Sequence, residues 1–351
     1  MKNHFKNLLT ITLLVFTTLS LTNESHAQTH KLNLFIWSEY IDPAVVADFE
    51  KQFDCKVNID LYEDVESMLA KVQGGGAELY DLVVPTDHIV PAMIKLNLLA
   101  PLRHANIPNL TNLNERFISP AYDRGNKFTA AYQWGTLGIL TRRESGKPVP
   151  DSWSVFFDAK QQAGSFLLMD SVRDTIGAAL KYKASSVNST ETKDLKVVRD
   201  ILIEAKKRSI GFDGSVGAKN KVLAKTAKAA LVYSGEGVRA MIEDTNTVYV
   251  IPKEGSVMWV DSLCVLAKAP HRDLAEKFIN FVLEPKNGAR ISAFTQFSTP
   301  NSAAKGFLKP EDLSNPAVYP PDDVMARLEL LNDLGAKLRV YDEVWTQVKV
   351  K

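Results

Sequence analysis

Apolar runs and amphipathic segments alternate along the opening third of the chain. A buried strand is predicted at residues 31–37, and a helix with apolar residues at helical spacing is predicted to begin at Pro43. The elements that follow are predicted strands at 56–62 and 81–85 and predicted helices at 66–72 and 88–96. This order predicts a parallel sheet with right-handed crossovers. In such a sheet, ligands bind beyond the carboxyl ends of the strands.

The rest of the chain continues the mixed pattern without an internal repeat. The predicted elements are strands at 165–169, 229–234 and 263–267 and helices at 174–182, 194–208, 272–283 and 322–334. A chain of 351 residues usually forms two domains. We therefore expect an α/β protein with two domains.

The first residues have the pattern of a secretory signal peptide. Lys2 and Lys6 precede an apolar stretch at 8–21, and Ser25-His26-Ala27 places small residues at the −3 and −1 positions of a cleavage site. We expect residues 1–27 to be removed by a cut before Gln28. No cysteine follows this site, so a lipid anchor there is not expected. The protein is predicted to be exported across the inner membrane of a Gram-negative bacterium.

Charge argues against one class of partner. Without Lys2, Lys6 and Glu24, the expected mature chain has 40 basic and 40 acidic side chains. Nucleic-acid binding usually requires a basic surplus, so no nucleic-acid partner is predicted. Export to an oxidising compartment permits a disulfide between Cys55 and Cys264, but two buried thiols are the simpler interpretation.

Motifs for catalysis and cofactor binding are not found in the sequence. Gly74-Gly75-Gly76 has no downstream Lys-Ser pair and is interpreted as a loop, not a phosphate site. The chain has no Gly-x-Ser-x-Gly nucleophile elbow, and its six histidines show no metal-ligand spacing. We expect no enzymatic activity, no cofactor and no metal.

Two short segments combine aromatic residues with carboxylates beside predicted strands. These segments are Trp37-Ser38-Glu39-Tyr40 and Trp259-Val260-Asp261. Aromatic faces attract organic cations through their quadrupoles, and carboxylates form charge-assisted hydrogen bonds with ammonium groups. The two segments together therefore predict a pocket for an organic cation. Glu39 is equally compatible with a solvated position.

Six motifs in order resemble one family. They are residues 34–40, 80–86, 132–135, 251–255, 259–263 and 299–301. The chain thereby resembles the periplasmic polyamine-binding proteins of ABC importers. The resemblance implies the type II periplasmic binding protein fold, in which two α/β domains, each with a mostly parallel sheet flanked by helices, clamp a ligand in the cleft. Domain 1 would comprise 28–135 plus 259–298, and domain 2 would comprise 136–258 plus 299–351.

The resemblance also implies a set of ligand-binding residues. They are Trp37, Ser38, Tyr40, Thr86, Asp87, His88, Ser171, Asp174, Tyr233, Glu236, Trp259, Asp261 and Phe297. Asp261 would form the main salt bridge to an ammonium group, and Asp174 and Glu236 would pair with the others. Asp87 and Ser171 are also good helix caps, and His88 could merely begin a helix.

Three residues depart from the family pattern. Ser171 stands where spermidine-type members have an acid, Phe297 replaces a tyrosine, and Leu331 stands where a glutamine is found. These differences favour a mixed or shifted specificity, and they leave open whether putrescine or spermidine is preferred.

The predicted function is a monomeric periplasmic receptor that captures a polyamine of the putrescine or spermidine class and delivers it to an ABC permease. The alternative is a sensor that reports polyamine to an inner-membrane signalling protein. Ferric iron is disfavoured because adjacent tyrosines are missing from the late crossing region. Thiamine is physically feasible, but the ordered motifs disfavour it, and a hydrolase would need a nucleophile with a nearby base.

Overall fold

A computed structural model describes residues 30–162 and 164–350, so the predicted signal peptide and its cleavage site lie outside the described residues. The strands of the described residues are β1 (His30–Trp37), β2 (Cys55–Tyr62), β3 (Leu82–Val83), β4 (Ala130–Arg142), β5 (Phe166–Met169), β6 (Phe212–Asp213), β7 (Ala229–Tyr233), β8 (Thr247–Val250), β9 (Ser256–Val265) and β10 (Leu328–Leu330).

The α-helices vary from one turn to 17 residues. They are α1 (Pro43–Phe53), α2 (Val65–Gln73), α3 (Val90–Lys95), α4 (Ser154–Phe157), α5 (Val172–Tyr182), α6 (Thr192–Arg208), α7 (Ser215–Leu223), α8 (Ser234–Glu243), α9 (Arg272–Val282), α10 (Pro285–Thr295), α11 (Pro310–Leu313), α12 (Asp322–Met325) and α13 (Leu338–Val350). Across the described ranges, no helix is both long enough and apolar enough to cross a membrane.

The first three strands form the predicted parallel arrangement. β1 pairs in parallel with β2 on one side and with β3 on the other. The crossover helix α1 begins with Pro43, which has no N–H to leave unpaired, and the Asp42 side chain accepts a hydrogen bond of 2.8 Å from the Ala44 N–H. The helix buries Val45, Val46 and Phe49. The opening prediction is confirmed.

One mixed sheet runs through the whole molecule, in the order β2-β1-β3-β9-β4-β7-β5-β6, with β10 beside β9 and β8 beside β4. The strands at both ends are parallel, whereas β3, β9, β4 and β7 are antiparallel neighbours. β4 was not predicted, and β9 begins at Ser256 rather than near residue 263. Twelve of the 13 residues of β4 and all ten of β9 are buried, so neither strand has the polar alternation that marks a half-exposed strand.

Two large hydrophobic cores lie along this sheet. The first core contains described residues up to Trp134 and again from Met258 to Phe297. The second core begins at Leu137, continues to Val257 and resumes in the C-terminal segment. The change from one core to the other therefore falls inside β4 and β9. The domain boundaries themselves stay a prediction.

The predicted helix at 322–334 is wrong. The segment instead contains the short helix α12 and the strand β10, and β10 pairs in parallel with β9 through Leu328–Ser256 and Leu330–Met258. Pairing of residues 328–330 with the start of β9 fixes an extended backbone there, and tertiary pairing of this kind overrides local preference.

Cys55 and Cys264 are free, buried thiols. They lie on β2 and β9, which are separated in the sheet by β1 and β3. Three strand spacings alone place them at least about 14 Å apart, and a disulfide needs Cα atoms within about 7 Å. The interpretation as two buried thiols is confirmed.

Candidate functional site

A cleft of about 980 Å³, a volume that includes open solvent at its mouth, lies beyond the carboxyl ends of β1, β5 and β7. Residues of both cores line it. Twelve of the 13 predicted residues are among those lining it: Trp37, Ser38, Tyr40, Thr86, His88, Ser171, Asp174, Tyr233, Glu236, Trp259, Asp261 and Phe297. Leu331 lines it as well. Segments more than 200 residues apart in sequence therefore meet at one cleft.

Asp261 is a carboxylate in the middle of β9 that is only 5% exposed. The Tyr40 hydroxyl donates a hydrogen bond of 2.8 Å to its Oδ2 atom. Its Oδ1 atom is buried and has no hydrogen-bond partner within the described part of the chain. Burial raises the pKa of Asp261 to about 7, while the side chains of Thr86 and Tyr40 act in the opposite direction as hydrogen-bonding groups. The charged form therefore lacks compensation, which a bound cation would supply.

Asp174 is a second buried carboxylate, in the first turn of α5. The Ser171 hydroxyl lies 2.6 Å from its Oδ2 atom, and the Tyr233 hydroxyl donates to the same atom at 2.8 Å. Ser171 also caps α5 by accepting from the Asp174 N–H. The two roles considered for Ser171, helix cap and site residue, are thus compatible. Asp174, like Asp261, is held by neutral hydroxyl groups.

A row of aromatic rings connects these two carboxylates. The Trp259 ring lies 5.5 Å from that of Tyr233 and 6.5 Å from that of Tyr40, measured between centroids. Phe297 packs edge-on against Trp259 at 5.0 Å. Trp37 is fixed separately, because its indole N–H donates to the Val84 carbonyl at 3.1 Å. The rings form an apolar wall between Asp174 and Asp261, and the face of each ring carries partial negative charge.

Glu236 differs from the other two buried carboxylates because it already has a cationic partner. Its Oε1 atom lies 2.7 Å from Arg239 Nη2, and Ser215 donates to its Oε2 atom at 3.0 Å. Burial raises the pKa of Glu236, and the Arg239 guanidinium opposes that rise. Arg239 also pairs with Glu39 at 3.0 Å. Glu39 is therefore neither free in solvent nor one of the residues that line the cleft.

Asp87 does not line the cleft, which corrects one prediction. Its side chain is 1% exposed and accepts hydrogen bonds from the backbone N–H groups of His88 at 2.6 Å and Val260 at 3.2 Å. It is not the N-cap of α3 either, since that position is Ile89. Asp87 instead fixes the loop after β3 against β9. His88 does line the cleft, with Nδ1 3.5 Å from Asp87 Oδ1.

Several cleft residues were missed in the sequence. They are Glu63, Asp64, Val65, Glu66, Met169, Asp170, Arg173, Gly214, Ser215 and Val216. The acids Glu63 and Asp64 directly follow β2, so the rule that ligands bind beyond strand ends could have found them. Arg239, which pairs with Glu236 but does not line the cleft, does not follow a strand end, so this rule could not have found it.

The lining is strongly acidic, with seven carboxylates against one arginine and one histidine. The guanidinium of that arginine, Arg173, donates at 2.9 Å to both the Asn332 carbonyl and Asn188 Oδ1, and it lies 5.0 Å from the Tyr341 ring. Among the described residues, no group of three or more acids, histidines or cysteines is arranged to hold a metal ion. The charge is spread along an aromatic wall instead, which suits an elongated organic cation.

Comparison with known proteins identifies the family. The family model for bacterial extracellular solute-binding proteins matches residues 44–318. A putrescine/cadaverine-binding protein of Pseudomonas aeruginosa is 29% identical, covering 97% of this chain and 99% of the relative. The spermidine/putrescine-binding periplasmic protein of Escherichia coli is 28% identical, covering 91% of each chain.

A solved structure shows the same fold. The substrate-binding protein of a spermidine/putrescine ABC transporter from Streptococcus pneumoniae superposes with a TM-score of 0.79 at 28% identity, covering 92% of this chain and 99% of that chain. The expectation of a solute receptor rather than an enzyme is confirmed by the family match. With its periplasmic binding protein fold and a match over residues 44–318, the chain belongs to the family of bacterial extracellular solute-binding proteins.

Proposed function

We propose that this protein captures a polyamine of the putrescine or spermidine class in the periplasm and delivers it to an ABC importer. The names of its relatives support this proposal, since they are polyamine-binding proteins and a component of a polyamine ABC transporter. The acidic, aromatic cleft supports it independently. No observation favours the sensor alternative.

The observation that carries the proposal is the unpartnered oxygen of Asp261. A buried carboxylate with an unsatisfied oxygen is costly, and the Asp261 Oδ1 atom has no partner among the residues described. An ammonium group placed there would provide both a hydrogen bond and an opposite charge. A neutral solute would leave the charge uncompensated. A cationic ligand is therefore favoured.

The rest of the ligand would follow the aromatic row. Methylene groups would pack between the rings of Tyr40, Tyr233 and Trp259, whose faces also attract ammonium groups. A second ammonium would pair with Asp174, whose present partners are neutral hydroxyls. Each desolvated charge would then have a carboxylate partner, as burial of an ion requires.

Ligand capture would be coupled to closure of the cleft. We propose domain 1 as residues 28–135 plus 259–298 and domain 2 as residues 136–258 plus 299–351. The division of most buried apolar residues between two cores supports this proposal. A ligand that touches both domains favours the closed arrangement by its contacts there. The permease would then recognise the closed form.

Replacement of Asp261 by asparagine tests the proposal. The variant Asp261→Asn keeps the shape and a hydrogen-bonding group but loses the charge, so we expect putrescine and spermidine to bind at least tenfold more weakly, a loss of about 1.4 kcal/mol or more. Isothermal titration calorimetry measures the affinity, and thermal shift against diamines, triamines and unrelated cations identifies the ligand class.

Glu204→Gln is the matched control, because Glu204 is an exposed acid that pairs with Lys207 on α6. This variant should bind like the unaltered protein. Unchanged affinity in Asp261→Asn, or no thermal shift with any polyamine, would show that the assignment is wrong.

A further inference from the structure

A cluster of four charged residues lies beside the cleft, where α7 and α8 approach the loop after β1. Arg239 on α8 pairs with Glu236 at 2.7 Å and with Glu39 at 3.0 Å, and its Nη1 atom donates to the Glu39 carbonyl at 3.3 Å. Lys219 on α7 lies 3.7 Å from Glu39. Two cations and two anions therefore neutralise one another in this cluster.

The three deep carboxylates of the cleft are consequently not equivalent. Asp174, Glu236 and Asp261 are 7%, 4% and 5% exposed, respectively. Asp174 and Asp261 accept hydrogen bonds only from neutral hydroxyl groups, and neither has an ion-pair partner among the described residues. Glu236 alone is neutralised by a cation of the protein itself. The deep cleft thus offers two carboxylates without an ion-pair partner among the described residues. Arg173, the arginine of the lining, donates instead to the Asn332 carbonyl and to Asn188 Oδ1.

The remaining acids of the lining do not change this count. Glu63 is exposed and Asp64 is half-buried, so both keep contact with solvent. Glu66 also has an exposed side chain, although partial desolvation raises its pKa. Asp170 is an exposed acid that pairs with Lys349 at 2.8 Å. These groups attract any cation towards the mouth of the cleft. They do not offset the free-energy cost of removing a third ammonium group from water deep inside it.

We infer that Arg239 is a built-in cation that restricts the cleft to diamines, by occupying the carboxylate that a third ammonium group would need. This inference rests on the proposed function and specifies its substrate class. A triamine would have to displace Arg239 from Glu236 or bury an ammonium group without a partner. Either event opposes binding, because an uncompensated buried charge is costly.

The experiment compares a diamine and a triamine in the unaltered protein and in Arg239→Gln. Calorimetry at fixed pH and ionic strength measures the affinities for putrescine and spermidine. We expect the unaltered protein to prefer putrescine by at least tenfold. In Arg239→Gln, Glu236 is released for the ligand, so the ratio of the two affinities should shift towards spermidine by at least tenfold. Arg239→Lys keeps a cation and should retain the diamine preference.

A double variant shows whether the shift acts through Glu236. Adding Glu236→Gln to Arg239→Gln removes the released charge, and the ratio should return towards that of the unaltered protein. Arg142→Gln is the matched control, since Arg142 is a similarly buried arginine that pairs with Asp244 at 2.7 Å and does not line the cleft. Circular dichroism and the melting temperature confirm that each variant is folded.

The outcomes separate the inference from the proposed function. Equal affinities in the unaltered protein, an unchanged ratio in Arg239→Gln, or a shift that persists in the double variant would overturn the role of Arg239 while the polyamine function stands. Binding of neither amine by the unaltered protein would overturn the proposed function, and the inference with it.

Discussion

At the residue scale, Asp261 shows how a protein can hold a carboxylate ready for a cation. Its position inside a fully buried strand limits its access to water, and the Tyr40 hydroxyl donates a hydrogen bond to Oδ2. Burial raises the pKa of the group to about 7, and the nearby carboxylates of Asp87 and Asp174 add smaller increases in the same direction. A bound ammonium group would reverse this effect by stabilising the charged form.

The stability of the ligand-free protein should depend on the protonation of Asp261. A carboxyl group whose pKa is higher in the folded than in the unfolded state stabilises the protein fully below its ordinary pKa, near 4, and loses this contribution as the pH rises to about 7. We therefore expect the melting temperature to fall between about pH 4 and pH 7. Each unit of pKa difference corresponds to about 1.4 kcal/mol.

Asp261→Asn should show a smaller fall over the same range. Part of the slope will remain, because burial also raises the pKa of Asp87 and of Glu236. Calorimetric melting of both proteins across the pH series is the measurement. Parallel curves would show that Asp261 is already ionised in the ligand-free protein.

At the element scale, sequence reasoning succeeded where strands and helices alternate. β1 was found from its short apolar run, α1 from helical spacing after Pro43, and β2 from its alternation of polar and apolar residues. β4 was missed because a strand buried on both faces has no alternation to detect. β10 was missed because its partner is β9, more than 60 residues earlier in the chain.

In the candidate site too, residues with a local sequence pattern could be predicted, whereas residues placed by distant contacts could not. Residues at strand ends, such as Trp37 and Tyr233, could be predicted from the rule for parallel sheets together with the family resemblance. Asp87 was misplaced because a polar residue after a strand can face either the cleft or the backbone of a neighbour. The role of Arg239 depends on Glu39, 200 residues away, and no local pattern encodes that contact.

A glycine pair on β4 and α8 should be essential for the packing of the second half of the sheet. The Tyr249 ring packs against Gly138 and Gly237, and a Cβ atom at position 237 would clash with Tyr249 Cδ2. The Tyr249 hydroxyl donates to the Thr136 carbonyl at 2.9 Å, which holds the ring in place. We expect Gly237→Ala to lower the free energy of unfolding by about 1–3 kcal/mol through overpacking, despite the better helix propensity of alanine.

Urea unfolding measures this loss, and Gly306→Ala is the control. A Cβ atom at position 306 would meet no atom within 4 Å, so that variant should be close to neutral. If Gly237→Ala were as stable as the control, the Tyr249 ring would have room to move and the packing argument would be wrong.

At the scale of the whole molecule, the continuous sheet connects the two cores through few elements. β4 and β9 each begin in one core and end in the other. The Arg239–Glu39 pair makes a second kind of connection, because its members belong to different proposed domains. Glu39 has a φ of 53°, a backbone conformation that non-glycine residues seldom adopt. This backbone conformation therefore occurs at the residue whose side chain pairs with Arg239 on α8.

The Arg239–Glu39 pair should favour the closed arrangement modestly. Its effect on affinity should be the same for a diamine and for a triamine. Glu39 is about half exposed, at 48% of its side chain, so solvent screens the pair and limits its value to about 1 kcal/mol or less. We expect Glu39→Gln to weaken putrescine and spermidine binding by the same factor, of at most about fivefold. The ratio of the two affinities should stay constant, in contrast to Arg239→Gln.

Small-angle X-ray scattering can test this role directly. The ligand-free Glu39→Gln protein should have a larger radius of gyration than the unaltered protein, and saturating putrescine should bring both to the same value, because ligand contacts then outweigh the lost ion pair. Glu343→Gln removes an exposed pair with Arg339 on α13 and should change neither quantity. An identical radius for ligand-free Glu39→Gln, together with unchanged affinities, would mean that the ligand alone drives closure.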